Sequence, residues 1–269
     1  MTVEGKLDSE DLISTAQALA DAARPVTLRH FRNPELAADN KLEEGFDPVT
    51  IADRECERIM RAILAERRPE DGILGEEFAP IAGNSGLTWV LDPIDGTRGF
   101  ICGTPTWGVL VALNAGGDPL FGLIDQPYIG ERFEGGFGIA RVRGPQGETP
   151  LKTRQTESLS NAIMLSTFPE IGTPDEYEGF RRIARQTRLV RYGMDCYGYA
   201  LLAAGQVDLV VEAGLKPYDV HAPIAVIEAA GGVITNWRGD SARAGGQVLA
   251  AGSARLHEKA LDILAPFAN

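Results

Sequence analysis

The stretch Trp89-Val-Leu-Asp92-Pro-Ile-Asp95-Gly-Thr97 constrains this chain more than any other. An apolar run of strand character delivers two carboxylates, three residues apart, into a turn marked by Pro93 and Gly96. A turn there aims both carboxylates, and the Ile94 carbonyl between them, toward one point. Oxygen donors of this kind make a suitable half-site for a hard cation such as Mg²⁺, which usually keeps several of its waters. The same D-P-x-D-G pattern also makes a good surface turn, so the run by itself leaves both readings open.

Around that run the periodicity predicts alternating elements. Asp8 and Ser9 cap a helix whose apolar face includes Leu12, Ile13, Ala16 and Leu19, with Pro25 set to kink or end it. Cys56, Ile59, Met60, Ile63 and Leu64 recur at helical spacing and predict a helix over 52–67. Apolar runs at 72–75, 88–91, 107–113 and 120–124 read as strands. The Gly-, Pro- and charge-rich segment RVRGPQGETP, 141–150, is the expected seam, dividing the chain into an N-terminal half, 1–145, and a C-terminal half, 146–269. Beyond it, strands are expected at 162–165, 189–192, 208–212 and 233–236, and helices at 176–186, 196–204, 219–230 and 254–264. Mixed strands and helices in both halves imply an α/β or α+β layered sandwich.

Composition narrows the chemistry. A formal charge of -12 across 269 residues argues against unassisted binding to nucleic-acid backbones or anionic lipid, since the long-range field repels both. No run approaches the roughly 18 apolar residues of a membrane helix, and MTVEGKLDSEDL carries no signal-peptide pattern, so a cytoplasmic enzyme is expected. Cys56, Cys102 and Cys196 form no C-x-x-C pair, and His30, His221 and His257 form no H-x-x-x-H pair, which disfavours a disulfide framework or a zinc site. A metal here is expected to be held by oxygen.

Further acids stand at element ends. Gly75-Glu76-Glu77 follows a short apolar segment, Asp53 opens the second helix, and Asp219 stands at a helix start after Lys216-Pro-Tyr. Asp53 and Asp219 equally suit helix caps or first-turn acids, and Glu76 a solvated loop.

Taken together, four ordered motifs resemble the inositol monophosphatase family of magnesium-dependent, lithium-sensitive phosphatases. They read Asp47-Pro-Val-Thr-Ile-Ala-Asp53, then Gly75-Glu76-Glu77, then Trp89 to Thr97, then Tyr218-Asp219-Val-His-Ala-Pro with Glu228-Ala-Ala-Gly-Gly232. The resemblance implies an αβαβα sandwich and a homodimer. By motif position it implies that Glu76, Asp92, Asp95, Asp219 and the Ile94 carbonyl ligate metal, with Asp53 binding a further ion or orienting water. These five carboxylates carry about -5, and two or three Mg²⁺ ions bring roughly +4 to +6, so the loaded site turns neutral or positive and attracts a small phosphorylated metabolite. Asp53, Thr97 and Glu76 are the residues assigned to catalysis, water attacking phosphorus in line with the leaving alkoxide while Thr97 and Asp53 help take its proton. The Gly96 and Thr97 amides are expected at the phosphate, provided a helix begins there. Lys41 stands near the place of a basic residue that precedes the first motif in relatives, and it serves equally as a surface lysine.

The second half bears on the substrate. Tyr192-Gly-Met-Asp195-Cys-Tyr-Gly-Tyr199 and Glu212-Ala-Gly-Leu-Lys216-Pro-Tyr-Asp219 look more like the histidinol-phosphate phosphatase branch, which serves histidine biosynthesis, than the inositol branch. Histidinol phosphate carries an ammonium and an imidazole that pair with carboxylates, here Asp195 and Glu212, whereas inositol offers neutral hydroxyls. Asp195 also suits an N-cap and Glu212 a strand-end hydrogen bond. Arg98 either steers substrate or sits in solvent, and Tyr197, Tyr199 and His221 read as packing residues. An inositol or broad sugar-phosphate phosphatase and a non-catalytic metabolite or metal sensor are the competing readings.

Overall fold

The structure, a computed structural model, describes residues 8–40 and 48–269. Lys41, and the Asp47 that opens the first motif, lie outside the described residues.

The chain begins with α1 (Ser9–His30), β1 (Ala38–Asn40), β2 (Pro48–Thr50) and α2 (Ile51–Arg67). It continues through β3 (Gly72–Gly75), β4 (Leu87–Asp95), α3 (Thr97–Cys102), β5 (Gly108–Ala115), β6 (Asp118–Gln126), β7 (Glu131–Gly136), β8 (Ile139–Gly144) and β9 (Gly147–Pro150). The remainder comprises β10 (Ile163–Ser166), α4 (Pro174–Ala184), β11 (Leu189–Tyr192), α5 (Asp195–Ala203), β12 (Leu209–Leu215), α6 (Pro217–Ala229), β13 (Val233–Thr235), β14 (Gly246–Ala251) and α7 (Ala254–Leu264).

Strands β3 to β9 form one sheet in sequence order, parallel at β3–β4 and antiparallel elsewhere. The second sheet runs β11-β10-β12-β14-β13, and β1 pairs with β2 apart from both. Helices α1 and α2 cover one face of the larger sheet, α5 and α6 fill the space between the sheets, and α7, packed on α4, covers the far face of the smaller one. The result is the αβαβα sandwich implied by the resemblance.

Side-chain alternation makes those layers. Along β4, Trp89 and Leu91 face the α1/α2 core while Val90 faces the middle layer. In β12 and β14, Leu209, Val211, Leu249 and Ala251 face α4 and α7, whereas Val210, Val248 and Ala250 face α5 and α6. Helix α6 lies so close on the larger sheet that a Cβ at Gly122 would run into the Ala222 backbone.

Two expectations are corrected, and one segment takes a definite form. Helix α1 passes through Pro25 to His30, because proline forfeits a single intrahelical donor while Ala23, Val26 and Thr27 stay buried around it. Segment 141–150, read as the seam, is mostly a hairpin, β8 pairing with β9 at the edge of the larger sheet before the chain passes to the strands of the smaller one. Strand β4 does not turn at Asp92 but runs on to Asp95.

Candidate active site

That last correction explains the site. On a regular strand, residues three apart point to opposite faces. Strand β4 pairs Asp92 with Leu110 and Asp95 with Gly108, so three steps on β4 match two on β5. The extra residue is a β-bulge, and it brings both carboxylates to one side. Asp219, from the first turn of α6, joins them, and donor oxygens of Asp92, Asp95 and Asp219 lie within 4.8 Å of one another. Glu76, just past β3, lies within hydrogen-bond reach of Asp92. Three motifs distant in sequence thus supply one cluster where β3 and β4 end and α6 begins.

The electrostatics follow from crowding. Burial, then Glu76, Asp95 and Asp219, push the Asp92 carboxyl well up from its ordinary value. Burial, then Asp219 and Asp195, do the same to Asp95. The fold holds these groups by local bonds: Asp92 Oδ1 accepts from Ile94 N at 3.1 Å, Asp95 Oδ2 from Cys196 N at 2.6 Å, and Asp219 Oδ2 from Lys216 N at 2.7 Å. Carboxylates and carbonyls alone, concentrated and raised by one another, fit a hard cation, whose charge would reverse the repulsion.

Asp53 serves two ends. Its Oδ2 accepts from Thr50 N at 2.8 Å and Thr50 Oγ1 at 2.6 Å, completing a capping box on α2. Its Oδ1 lies 3.4 Å from Thr97 Oγ1, which is also 3.2 Å from the Ile94 carbonyl oxygen. Asp219 likewise combines a first-turn hydrogen bond with membership of the cluster, so the two readings offered for each acid coexist. Gly96 is left-handed at φ 87°, and a Cβ there would press on the Asp195 carboxyl at 2.7 Å. The helix that begins at Thr97, α3, has only six residues.

The residues expected at the substrate begin beside this turn, at Asp195. Asp195 is not the N-cap of α5: Met194 takes that place, and Asp195 adopts φ 46° as the first helical residue. Its Oδ2 accepts from Thr106 Oγ1 at 3.1 Å, and burial raises its carboxyl. Glu212 accepts from Thr167 N at 2.6 Å and Thr167 Oγ1 at 2.8 Å, and burial pushes it up to about 8, with Asp195 contributing. The exposed Arg98 stacks its guanidinium 4.8 Å from the Phe168 ring centre and acts to lower Asp195.

Other residues behave as packing groups. His221 spans Asn114 Nδ2 and the Arg243 carbonyl at 2.5 and 2.7 Å, and Tyr197 donates to Glu131 Oε2 at 2.8 Å. Tyr199 packs in the core of the middle layer. Its hydroxyl is buried with no hydrogen-bond partner among the described residues, and after burial itself Glu212, Asp95 and Asp219 raise it furthest. Glu57 was invisible to pattern reading, although an acid four residues after Asp53 on the apolar stripe of α2 was the available signal.

The pattern of the inositol monophosphatase family matches residues 8–266. The chain belongs to this family. The bifunctional phosphatase IMPL2, chloroplastic, of Arabidopsis thaliana is 40% identical over 262 residues, covering 93% of this chain and 74% of that protein. A histidinol-phosphatase of Streptomyces coelicolor is 33% identical over 267 residues, 96% of this chain and 98% of the relative. A solved inositol monophosphatase from Zymomonas mobilis aligns with a TM-score of 0.85 at 39% identity, covering 96% of this chain and 99% of that one. The names agree on phosphatase and divide on substrate. This inositol monophosphatase family member is therefore a phosphatase of small phosphorylated compounds, in a metal-dependent family. No helix among its described residues is long and apolar enough to cross a membrane.

Proposed function

We propose that this chain is a Mg²⁺-dependent phosphomonoesterase acting on histidinol phosphate. The observation that carries the reading is the placement of Asp195: a carboxylate held in a left-handed conformation against the Gly96 turn, beside both Asp95 and Glu212. Helix α5 accepts a strained first residue, which costs on the order of 1–3 kcal/mol, and in return a carboxylate stands next to the cluster. An ammonium or imidazolium on the leaving group supplies the charge that this acidic wall favours.

Two or three Mg²⁺ ions, held by Glu76, Asp92, the Ile94 carbonyl, Asp95, Asp219 and Asp53, would supply positive charge for the phosphate and lower the pKa of water. The chain's own groups do the rest. Thr97 Oγ1 donates to Asp53 Oδ1 and turns its lone pairs outward to accept from the attacking water, and Asp53 receives the proton. Gly96, lacking a side chain, lets the backbone approach the phosphate, and the Gly96 and Thr97 amides orient its oxygens. Glu76 stands beside Asp92, and Asp92, Asp95 and Asp219 close on one another to complete the cluster.

A second reading has its own support. Glu212, pushed up to about 8 and bonded by Thr167, is largely protonated at neutral pH and suits a neutral hydroxyl, as an inositol phosphate would present. Phosphate release from histidinol phosphate and from inositol 1-phosphate, each with Mg²⁺ and with chelator, separates the two. The expected result is preference for histidinol phosphate, lost in Asp195→Asn, a substitution that tolerates the left-handed backbone. Faster release from inositol 1-phosphate, unchanged in Asp195→Asn, would favour the second reading.

A further inference from the structure

We infer that Glu57 is a positioning residue that sets the Glu76 carboxylate for metal binding by pinning the peptide group on its far side. The inference rests on reading the acidic cluster as a metal site.

Glu57 lies on α2 one turn after Asp53, and both side chains are fully buried. Its Oε2 accepts from Glu77 N at 2.7 Å, and its Oε1 accepts from Arg61 Nε at 2.7 Å. Arg61 then reaches across to donate from Nη2 to the Phe78 carbonyl at 2.9 Å, and the Phe78 ring sits under the Arg58 and Arg61 guanidinium groups at 5.6 and 5.7 Å. On the near side, Glu76 N donates to the Leu91 carbonyl at 3.2 Å, carrying the β3–β4 pairing one residue further. Both peptide groups that flank Glu76 are therefore held, one by the sheet and one by α2. With its backbone fixed, the Glu76 carboxylate arrives beside Asp92 without having to be ordered when an ion enters.

Two details show that this arrangement is built around the carboxylate. A Cβ at Gly75 would collide with the Glu57 carboxyl, so the chain leaves room for it. The two partners of Glu57 are both N–H donors, and an ionised carboxylate satisfies both, whereas an amide satisfies one and opposes the other with its own N–H. A hydrogen-bonded stem in α2 thus serves both ends of the site: Asp53 toward Thr97 and, through Glu57, Glu76 toward Asp92.

The test is titration calorimetry of the full-length protein with Mn²⁺, together with thermal unfolding in chelator. Glu57→Gln is compared with Glu134→Gln, which alters another fully buried, arginine-paired carboxylate remote from the cluster. The expected result is a Kd for Mn²⁺ about 10–100-fold higher in Glu57→Gln. Glu134→Gln lowers the melting temperature in chelator but leaves that Kd at the wild-type value. Should Glu57→Gln lose its cooperative melt, Arg61→Gln, which keeps the carboxylate and removes its anchor, takes its place with the same expected direction. Wild-type Mn²⁺ affinity in the Glu57 variant, or equal weakening in the Glu134 variant, overturns the inference. Absence of Mn²⁺ binding by the wild type overturns the metal-site reading itself, and the inference with it.

Discussion

The larger sheet buries carboxylates in two places, and it treats them in opposite ways. On β6 and β7, Asp125 and Glu134 are fully buried and ringed by arginine. Arg24 and Arg132 reach Asp125 at 2.6 and 2.7 Å, while Arg141, Arg143 and Gln17 reach Glu134 at 2.7 Å each. At the bulge in β4, Asp92 and Asp95 instead face Glu76, Asp219 and Asp195, and each is raised by its acidic neighbours. The first arrangement is complete within the chain and serves the fold. The second concentrates negative charge of one sign, costs stability, and answers to a cation. Glu212 stands between them, buried and hydrogen-bonded by the Thr167 amide and hydroxyl.

The contrast is broken most severely by exchanging the expected outcomes. Glu134→Ala leaves Arg141 and Arg143 without their buried partner and should cost about 3–5 kcal/mol of stability. Denaturant unfolding measures it, and a loss below about 1 kcal/mol would show that the arginine ring is dispensable. Asp92→Asn should lower the phosphatase rate with Mg²⁺ by on the order of 100-fold or more, about 2.7 kcal/mol of barrier. In chelator the same variant should melt at or above the wild-type temperature, because one of the crowded charges is gone. The wild type should gain about 2.7 kcal/mol at an Mg²⁺ concentration 100-fold above its Kd, and the variant should lose that gain. A variant that melts far below wild type in chelator would place Asp92 with the structural carboxylates instead.

The last effect shows only as a slope of stability against pH, and it concerns Glu212. Its folded value of about 8 lies above the ordinary 4.5, so the folded state binds the proton more tightly than the unfolded chain. Its stability contribution is fully present below about pH 4.5 and is lost as pH rises toward about 8. Glu212→Gln keeps an acceptor for Thr167 and removes the titration, so its stability relative to wild type should rise across that window in metal-free melts. Parallel pH profiles for the two proteins would show that Glu212 is ionised in both folded and unfolded chains. The slope reports a balance, in which burial raises Glu212 and the Thr167 amide and hydroxyl lower it.

The same comparison explains what pattern reading reached. Strands such as β3 and β11, and helix α7, were legible to the residue because apolar runs and helical stripes are local. Strands β7 to β9 were not, since Glu131, Arg132, Glu134, Arg141 and Arg143 look like surface charge until Asp125 and Glu134 are seen paired inside. Helix α2 was legible, but Glu57 on its buried stripe was not, for the same reason: a charged side chain is taken as exposed unless its partner is known. Strand β14, short and preceded by glycines, also escaped notice.

By itself the sequence determined the family and the layered class and singled out Glu76, Asp92, Asp95 and Asp219 as candidates, because each motif is a few adjacent residues tied to one element end. Tertiary structure alone decided that these ends meet. The β4 bulge turns Asp92 and Asp95 to one side, α6 carries Asp219 across the middle layer, and Glu57 reaches the Glu76 loop. Such meetings depend on strand register and on helices packed against sheets over long chain separations, and neither periodicity nor spacing within one segment encodes those directly.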